Sequence, residues 1–565
     1  MTVKILYIQP TESFGDKRFL TESFLRISNY LNSKKNELRC EVKETYLDLR
    51  FEDLPVYSPE TLKEFRLALK ALLTDLYEEF SFNIAAIGCY TSFTFLSSIE
   101  VAWMVKKINP SCKIIVGGYH PSVSPNAFFP ENIPSYFGKY YLQKATPIDA
   151  ICIDEAEIPF FKYVVSFVNG EIKSRETLKE NPEILKRELL KSVDDLPLID
   201  LSLFMKYKNI INKLGEFYLS FNRGCLYRCK FCSSSLSSPM ESYRKLRFKS
   251  VDKCIAEIKR ILDTKWLKIT KLVINDAILF PKRSLKDRFF RELEKLNKVN
   301  DFPFRIYVHD RMELCTLNDL EYYKKLDIIP GFGLETGSPT LLCRLGKFLG
   351  KNNNLQNAKA YLALAEDFIK KSNELDTPIV FLYMGATPGM DERTMKETEE
   401  FFFDKRFSGK SLVEKYKVNL QIQKYAILPG NDFFNYGEIL LGAKYYFKQW
   451  YRILDKEQAF YSTIIKPSKD LNFPSAMSFL INFIKKLYQA QMRLKNPFYT
   501  LSELLFHRKM YERFIQIYNA KAQILDTDKH NIGYAYISLI LFISFITILL
   551  NTMLNISYFS LLYTH

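Results

Sequence analysis

The chain lacks the features of a secreted or repeat protein. No charged segment followed by an apolar leader opens it: Met1–Ile8 is too short for that and predicts a strand. Its ten cysteines do not form a disulfide framework, because most stand singly in apolar runs, as Cys89 does, and are expected to be buried free thiols. Internal repeats and low-complexity segments are also absent. These absences predict a globular protein of a reducing cytoplasm.

The net charge does not indicate a nucleic-acid partner. Lys and Arg number 80 against 64 Asp and Glu, which gives a formal charge of +16. The lysines are spread along the chain and alternate with glutamate in helical segments such as 176–191, a pattern typical of a solvated surface rather than a phosphate-binding track. At 565 residues, with 47% hydrophobic and 25% charged residues, the chain is expected to hold two or three domains.

Charge is missing altogether from residues 531–564. Within this stretch, residues 532–550 suffice for a helix across the roughly 30 Å hydrocarbon core of a membrane. Two tyrosines lie near one end of the stretch, where interfacial aromatic residues occur, and basic residues precede it. We therefore predict one C-terminal transmembrane helix over 531–555, a single-pass anchor that holds the protein at the cytoplasmic face of a membrane. The alternative is a buried helix of a soluble core.

The first 165 residues alternate strand and helix signals. One helix is predicted to begin with Ser58 as its N-cap and Pro59 at its first position, and to carry an apolar face from Leu62 to Leu76. A second helix is predicted over Leu96–Ile108. Short apolar runs predict strands over Val3–Gln9, Ile84–Cys89, Lys113–Val116 and Ala150–Ile153. This alternation predicts an α/β domain, over residues 1–165, with a parallel, doubly wound, Rossmann-like sheet.

Three loops follow the predicted strands of this domain. They are Tyr90–Phe93, Gly117–Pro121 and Asp154–Glu157. Because sheets of this kind bind ligands outside the carboxyl ends of their strands, these loops predict a ligand site.

A second alternation of strands and helices begins near Leu201, after a charged, turn-rich linker predicted over 166–200. Its strands are predicted at Phe217–Phe221, Lys271–Asn275, Phe304–Val308, Ile328–Leu334, Ile379–Met384 and Leu420–Ile427. Six such strands match a partial (βα)6 TIM-type barrel over 201–440, a fold that places its chemistry at the carboxyl ends of the strands. Residues 441–530 show no clear strand alternation and predict a helical accessory region.

Three cysteines lie within eight residues directly after the first barrel strand. Cys225, Cys229 and Cys232 have C-x3-C-x2-C spacing, and the next cysteine, Cys254, is 22 residues further on in a predicted helix. A structural zinc site needs four ligands, so the missing fourth argues against zinc. Three thiolates on a four-iron cluster leave one iron open. The segment closely resembles the cysteine loop of the radical S-adenosylmethionine enzymes, and the resemblance makes these three residues both the metal ligands and the catalytic centre.

Later motifs strengthen the resemblance. Phe231 occupies the family's aromatic position beside the adenine, and Gly333–Ser338 resembles the G-(I/L)-E-(S/T)-G-S element, in which Glu335 would accept hydrogen bonds from the ribose. Asn275 and Asp276 end the second barrel strand, where the family binds the methionine amino group; a turn or a helix cap is the alternative. Two loops resemble the G-x-P-G-E-T and P-G-T turns after strands five and six, namely Gly385–Glu392 and Leu428–Asn431.

The N-terminal domain resembles the cobalamin-binding domain found upstream of many such barrels. The family's V-G-G-x-H-x-(S/T)-x-x-P loop is matched by Val116–Pro125, whereas its G-E-G-E loop is altered to Asp154-Glu155-Ala156-Glu157. The D-x-H-x-x-G motif that supplies a lower axial histidine in classical cobalamin enzymes is absent, so a bound cobalamin would lack histidine ligation, as is usual in the family that the domain resembles. The resemblance assigns cobalamin binding to Tyr90, Thr91, Ser92, Gly117, Gly118, His120 and Glu155. The alternative is a vestigial Rossmann-like domain with structural glycine turns.

The resemblance implies reductive cleavage of S-adenosylmethionine at a [4Fe–4S] cluster and, with cobalamin, methylation of an unactivated centre. The alternatives are a radical cyclase or rearrangement enzyme of the same superfamily and, in another class, a non-catalytic membrane-tethered corrin-binding or metal-binding sensor. The implied partners are an electron donor such as flavodoxin or ferredoxin and a small-molecule substrate. The predicted membrane segment suggests that this substrate is apolar and lipid-like.

Overall fold

The computed structural model describes residues 2–11, 22–172, 175–445, 448–455, 466–500, 509–513 and 515–516. Met1–Arg508 forms one compact unit and Lys509–His565 a second. None of the helices in these described ranges is long and apolar enough to cross a membrane. The transmembrane helix predicted over 531–555 lies outside the described residues.

Strands and helices alternate along the first unit. The strands, in chain order, are Thr2–Gln9 (β1), Glu41–Asp48 (β2), Ile84–Gly88 (β3), Lys113–Gly117 (β4), Ala150–Cys152 (β5), Glu183–Ile184 (β6), Glu216–Leu219 (β7), Asn222–Arg223 (β8), Arg247–Phe248 (β9), Lys271–Ile274 (β10), Arg305–Asp310 (β11), Ile328–Glu335 (β12), Val380–Gly385 (β13) and Asn419–Lys424 (β14).

The helices show the same alternation. They are Ser23–Ser33 (α1), Leu62–Phe80 (α2), Phe95–Ile108 (α3), Tyr119–Val123 (α4), Glu157–Val168 (α5), Lys208–Leu214 (α6), Glu241–Arg244 (α7), Val251–Asp263 (α8), Arg283–Asn300 (α9), Asp319–Lys325 (α10), Pro339–Arg344 (α11), Leu355–Leu375 (α12), Glu392–Phe403 (α13), Leu412–Lys415 (α14), Asp432–Leu441 (α15) and Phe473–Arg493 (α16).

The first sheet is parallel and doubly wound, as predicted. Its strand order is β2-β1-β3-β4-β5-β6. The order reverses between β1 and β3, which is the switch point at which such sheets open a ligand crevice. Strand β2 was not predicted. It is an edge strand whose first five residues are exposed or half-buried and include three charged side chains, so its sequence contains no continuous apolar run.

The start of α2 was predicted incorrectly. The helix begins at Leu62 with Thr61 as its N-cap, and not at Ser58 and Pro59. The hydroxyl of Ser58 lies 2.9 Å from that of Thr61, within a separate turn before the helix. The predicted apolar face is correct at its centre, because Leu62, Phe65, Leu69 and Leu73 are buried.

The second sheet is the predicted partial barrel. Its strands run in the order β7-β10-β11-β12-β13-β14, and every neighbouring pair is parallel. The face beneath the surrounding helices is apolar: Phe217, Leu272 and Phe381 are fully buried there, and Phe332 packs on Phe368 of α12 with ring centroids 5.2 Å apart. The carboxyl ends of six strands therefore converge at one edge, where the cysteine loop begins.

Two further segments pack against these sheets. Within residues 166–200, β6 extends the first sheet, and Leu190, Val193 and Leu196 form a small buried cluster. In the predicted accessory region, α16 lies over β13, where the ring of Phe483 stacks on that of Tyr383 with centroids 5.2 Å apart.

Candidate active site

The cysteine loop is bound to the mouth of the barrel through its backbone. The amide of Cys225 donates to the carbonyl of Tyr243 in α7 at 3.1 Å. The amide of Lys230 donates to Leu345 at 2.9 Å, and its carbonyl accepts from the amide of Phe433 in α15 at 3.2 Å. These bonds place the loop between the segments that follow β12 and β14, at the carboxyl ends of the barrel strands.

The three thiols are free and largely shielded from water. Cys225 and Cys229 are buried and Cys232 is half-buried. Burial raises the pKa of Cys225. The pKa of Cys232 is raised to about 12, mainly by burial and to a smaller extent by the nearby Cys229. Among the described residues, no three His, Cys, Asp or Glu side chains are grouped so as to hold a metal ion.

The donor set nevertheless suits an iron–sulfur cluster. It consists of three thiols from one short loop, and thiolates are the protein ligands of such clusters. Because burial raises the pKa of Cys225 and Cys232, cluster binding would release the protons of these two thiols.

A buried arginine at the end of β11 contacts the loop. Nη1 of Arg311 lies 3.5 Å from Sγ of Cys229, and Nη2 donates to the carbonyl of Lys347 at 2.8 Å. The guanidinium also pairs with Glu313 at 2.6 Å and lies 3.5 Å from the ring centroid of Tyr227. Its contact with a cysteine 82 residues away had no signal in the sequence.

Glu335, the predicted ribose ligand, lies in a strained turn at the end of β12. Its φ is +68°, next to a register shift between β12 and β13. Its carboxylate accepts from Nζ of Lys347 at 2.9 Å, and the same amine donates to the carbonyl of Gly333 at 2.5 Å. A Cβ at Gly333 would contact the carboxylate of Glu335 and the amine of Lys347, so the missing side chain leaves room for this ion pair. The charge of Glu335 also raises the pKa of Cys232, which places the carboxylate near the loop.

The two residues predicted to bind the methionine amino group differ in placement. Asp276 is buried, and its carboxylate accepts from the amides of Phe221 at 2.9 Å and Asn222 at 3.0 Å. Burial raises its pKa to about 8, against the opposing effect of these backbone bonds. Asp276 therefore fixes the junction between β7 and the cysteine loop, whereas the side chain of Asn275 is exposed at the strand end.

Phe231 is fixed through its carbonyl. That oxygen accepts from the hydroxyl of Tyr425 at 3.3 Å and from Nδ2 of Asn431 at 3.1 Å. Both donors belong to the segment after β14, so the predicted P-G-T-like turn supports the cysteine loop directly.

His120 of the N-terminal domain is enclosed by other side chains, and its Nε2 is buried without a hydrogen-bond partner among the described residues. Its Nδ1 lies 2.8 Å from the hydroxyl of Ser92, and the rings of Phe95 and Tyr451 lie 4.8 and 4.5 Å from its own. Burial lowers its pKa to about 3. The prediction that Ser92 and His120 contact a cofactor meets a physical obstacle, because the two side chains are buried against each other.

The glycines of the same loop serve different purposes. Gly118 has φ +117°, and a Cβ there would lie 2.7 Å from the carbonyl of Cys89, so its small size allows the loops after β3 and β4 to touch. Gly117 would place a Cβ at an ordinary 3.5 Å from Cys152. Tyr90, Thr91 and Gly117 remain half-buried at the carboxyl ends of β3 and β4, beside the switch point.

Glu155 joins the N-terminal domain to the barrel. Its carboxylate pairs with Arg247 of β9 and with Arg223 of β8, the latter at 3.2 Å. Glu157 also pairs with Arg223, at 2.5 Å, and its pKa is lowered although burial opposes this. Arg223 stands two residues before Cys225. The loop predicted to touch a cofactor is thus occupied by ion pairs that clamp the segment leading into the cysteine loop.

Helix α4 provides a second connection between the domain and the barrel. The hydroxyl of Tyr119 donates to the carbonyl of Pro429 after β14. A Cβ at Gly430 would lie 2.7 Å from the side chain of Val123, so the glycine permits this close packing. The carboxyl end of the first sheet therefore rests directly above the mouth of the barrel.

Comparison with known proteins agrees with this arrangement. A solved structure of the cobalamin-dependent S-adenosylmethionine radical enzyme OxsB with aqua-cobalamin bound superposes with a TM-score of 0.59 at 16% identity, over 93% of this chain and 75% of that one. The radical S-adenosylmethionine methyltransferase TsrM of Kitasatospora setae, solved with cobalamin and a [4Fe–4S] cluster, gives 0.53 at 12% identity over 76% and 77%. The chain has the fold of the cobalamin-dependent radical S-adenosylmethionine enzymes.

Sequence comparison adds one relative. An uncharacterized methyltransferase of Pyrococcus horikoshii is 24% identical over 295 residues, which are 51% of this chain and 59% of that protein. The similarity thus spans about three fifths of the relative's length. No model of a known protein family matches the chain.

Within this radical-enzyme fold, the predicted residues fall into two groups. Around the barrel mouth, the structure brings the three cysteines and Glu335 together with Arg311 and Lys347. In the N-terminal domain, Tyr90, Thr91 and Gly117 are half-buried at the carboxyl ends of β3 and β4, whereas Ser92, Gly118, His120 and Glu155 make contacts within the protein.

Proposed function

We propose that the chain is a cobalamin-dependent radical S-adenosylmethionine methyltransferase. The observation that carries this proposal is the three-cysteine loop at the carboxyl ends of a parallel six-stranded sheet, with a doubly wound domain directly above it through Tyr119 and Pro429. The fold of OxsB and TsrM, and the methyltransferase relative, support the same proposal.

The roles of the residues follow from their positions. Cys225, Cys229 and Cys232 would hold a [4Fe–4S] cluster, which supplies reductive cleavage of S-adenosylmethionine. Glu335, oriented by Lys347, is placed to accept hydrogen bonds from ribose hydroxyls. Tyr90, Thr91 and Gly117 are the residues whose partial exposure suits contact with cobalamin, which supplies a methyl carrier.

Anaerobic reconstitution tests the proposal. We expect about four irons per chain, a corrin absorbance, and transfer of a deuterated methyl group from S-adenosylmethionine to a product when flavodoxin or ferredoxin supplies electrons. Cys225→Ala, Cys229→Ala and Cys232→Ala should each abolish the cluster. Cys343→Ala, a half-buried cysteine outside the loop, is the matched control and should retain it.

The outcomes separate the alternatives. Cleavage of S-adenosylmethionine without methyl transfer would favour a radical cyclase or rearrangement enzyme. Zinc in place of iron, with no 5′-deoxyadenosine formed under reduction, would favour a non-catalytic sensor.

Two finer proposals depend on residues 531–564. The uncharged stretch supports attachment to the cytoplasmic face of a membrane through 531–555, and deletion of 531–565 should then release the protein from the membrane fraction. Unchanged fractionation would reject the anchor. The same stretch suggests an apolar, lipid-like substrate, for which the described residues offer no supporting observation.

A further inference from the structure

The two faces of the barrel sheet differ in exposure along β13 and β14. Strand register aligns side chains in rows across the sheet, and successive residues of a strand point to opposite faces. On β14, Leu420 and Ile422 are buried on the helix-covered face, whereas Gln421 and Gln423 are exposed on the other. On β11, His309 is half-buried between the buried residues Val308 and Asp310.

The open face has a definite composition. We call it the chamber face; its half-buried or exposed members on the described strands include Tyr218, Tyr307, His309, Leu382, Met384, Gln421 and Gln423. None of these seven side chains is charged at neutral pH, because burial lowers the pKa of His309. Charged groups stand at the two ends of the face and are paired. Lys271 pairs with Glu216 at 3.0 Å and Arg305 with Asp327 at 2.8 Å at the amino-terminal end, and Glu335 pairs with Lys347 at 2.9 Å at the carboxyl end.

Three polar side chains of the chamber face, those of His309, Gln421 and Gln423, are available for a ligand. In the part of the chain that the structure describes, neither the imidazole of His309 nor the amides of Gln421 and Gln423 make a hydrogen bond. Each can both donate and accept. An amide left without a partner when a ligand displaces water costs about 1–3 kcal/mol, so these groups disfavour a purely apolar occupant.

The chamber face lies next to the site described above. A Cβ at Gly331 would lie 3.0 Å from the ring of His309. At Gly333, two residues further along β12, a Cβ would contact the side chains of Glu335 and Lys347. His309 also stands two residues before Arg311, which contacts Cys229. A molecule on this face therefore lies beside the groups assigned to S-adenosylmethionine and the cluster.

We propose that the chamber face binds the methyl-accepting substrate and selects an uncharged molecule with several hydrogen-bonding groups, held by His309, Gln421 and Gln423. This inference rests on the proposed methyltransferase function. Leu382 and Met384 supply an apolar wall between β12 and β14 against which such a molecule packs. A charged substrate is disfavoured because the middle of the face offers no counter-charge.

The test uses S-adenosylmethionine labelled with ¹⁴C in its methyl group, the reconstituted full chain, and an extract of the source cells. The extract is separated into chloroform-soluble, ion-exchange-retained and neutral water-soluble fractions. We expect label in the neutral water-soluble fraction. Label confined to either of the other fractions would overturn the inference while leaving the methyltransferase function intact.

Variants connect the result to the chamber face. Gln423→Leu, Gln421→Leu and His309→Leu should each lower the rate of labelling about tenfold, the loss of roughly one hydrogen bond, with 5′-deoxyadenosine still formed. Gln356→Leu, at an exposed glutamine of α12, is the matched control and should label at the wild-type rate. Unchanged labelling in all three chamber variants would also overturn the inference.

A binding measurement covers the case in which no fraction is labelled and the proposed function itself fails. The full chain is incubated with each fraction, washed, and the retained compounds are identified by mass spectrometry. Retention of a neutral polar compound by the wild type and the Gln356→Leu control, but not by Gln421→Leu/Gln423→Leu, supports the chamber. Retention of a lipid, or of nothing, rejects it.

Discussion

Nη1 of Arg311 lies 3.5 Å from Sγ of Cys229, which joins the end of β11 to the cysteine loop. The arginine is 6% exposed, so water screens its charge weakly. Its pKa is raised, against the effect of burial, chiefly by Glu313, and it stays protonated. A permanent positive charge therefore faces one of the three predicted cluster ligands.

This contact predicts an effect on the reduction potential of the reconstituted cluster. Arg311→Met should make the midpoint potential more negative, because a cation beside a ligand sulfur stabilises the reduced cluster. The potential is measured by a redox titration followed by electron paramagnetic resonance.

A matched control lies on the same strand. Arg305, at the other end of β11, is exposed and paired with Asp327 at 2.8 Å, so Arg305→Met should leave the potential unchanged. Equal potentials in the wild type and Arg311→Met would show that the arginine does not tune the cluster.

His120 predicts a pH dependence of stability. Its pKa is about 3 in the folded protein because of burial, against about 6.5 when unfolded. The unfolded chain therefore binds the extra proton first, and the stabilisation present above pH 6.5 is lost as the pH falls toward 3. Between pH 7 and pH 5, the free energy of unfolding of the wild type should fall by about 2 kcal/mol more than that of His120→Gln. Urea titrations at both pH values measure this; parallel pH profiles would contradict it.

Gly117 and Gly118, at the carboxyl end of β4, should differ in how well they tolerate an added methyl group. Gly118 has φ +117° and ψ −166°, a region essentially restricted to glycine, and its Cβ would contact the backbone of Cys89. Gly118→Ala should destabilise the protein by about 2–3 kcal/mol. Gly117→Ala, the neighbouring control, meets only an ordinary contact and should cost less than about 1 kcal/mol. Thermal unfolding compares the two, and equal losses would disprove the assigned backbone role.

The ion pair of Glu155 and Arg247 predicts measurable coupling between the N-terminal domain and the barrel. Both side chains are largely buried, at 5% and 14% exposure. A double-mutant cycle with Glu155→Gln and Arg247→Met should give a coupling energy of about 2 kcal/mol in urea unfolding. The exposed pair Lys162 and Glu188 serves as the control and should give less than about 0.5 kcal/mol. Similar coupling energies in both pairs would show that Glu155 and Arg247 do not hold the N-terminal domain to the barrel.

Much of the fold could be predicted from the sequence because buried parallel strands are continuous apolar runs. Val3–Gln9 and Ile328–Leu334 were recognised within one residue at each end for this reason. The edge strand β2 was missed, because one of its faces meets water and its sequence carries charges. The start of α2 was misplaced, because Ser58 has the chemistry of an N-cap but bonds a neighbouring threonine instead.

The sequence alone determined the cysteine loop, since the spacing of Cys225, Cys229 and Cys232 is local and one short segment carries all three thiols. The tertiary structure decided the surroundings of that loop. Arg311 reaches Cys229 across 82 residues, and Glu155 meets Arg247 across 92. Such contacts depend on which strand ends the parallel sheets bring together, and no local pattern records them. The chamber face is of the same kind, because strand register, and not composition, sets His309 and Gln423 on one surface.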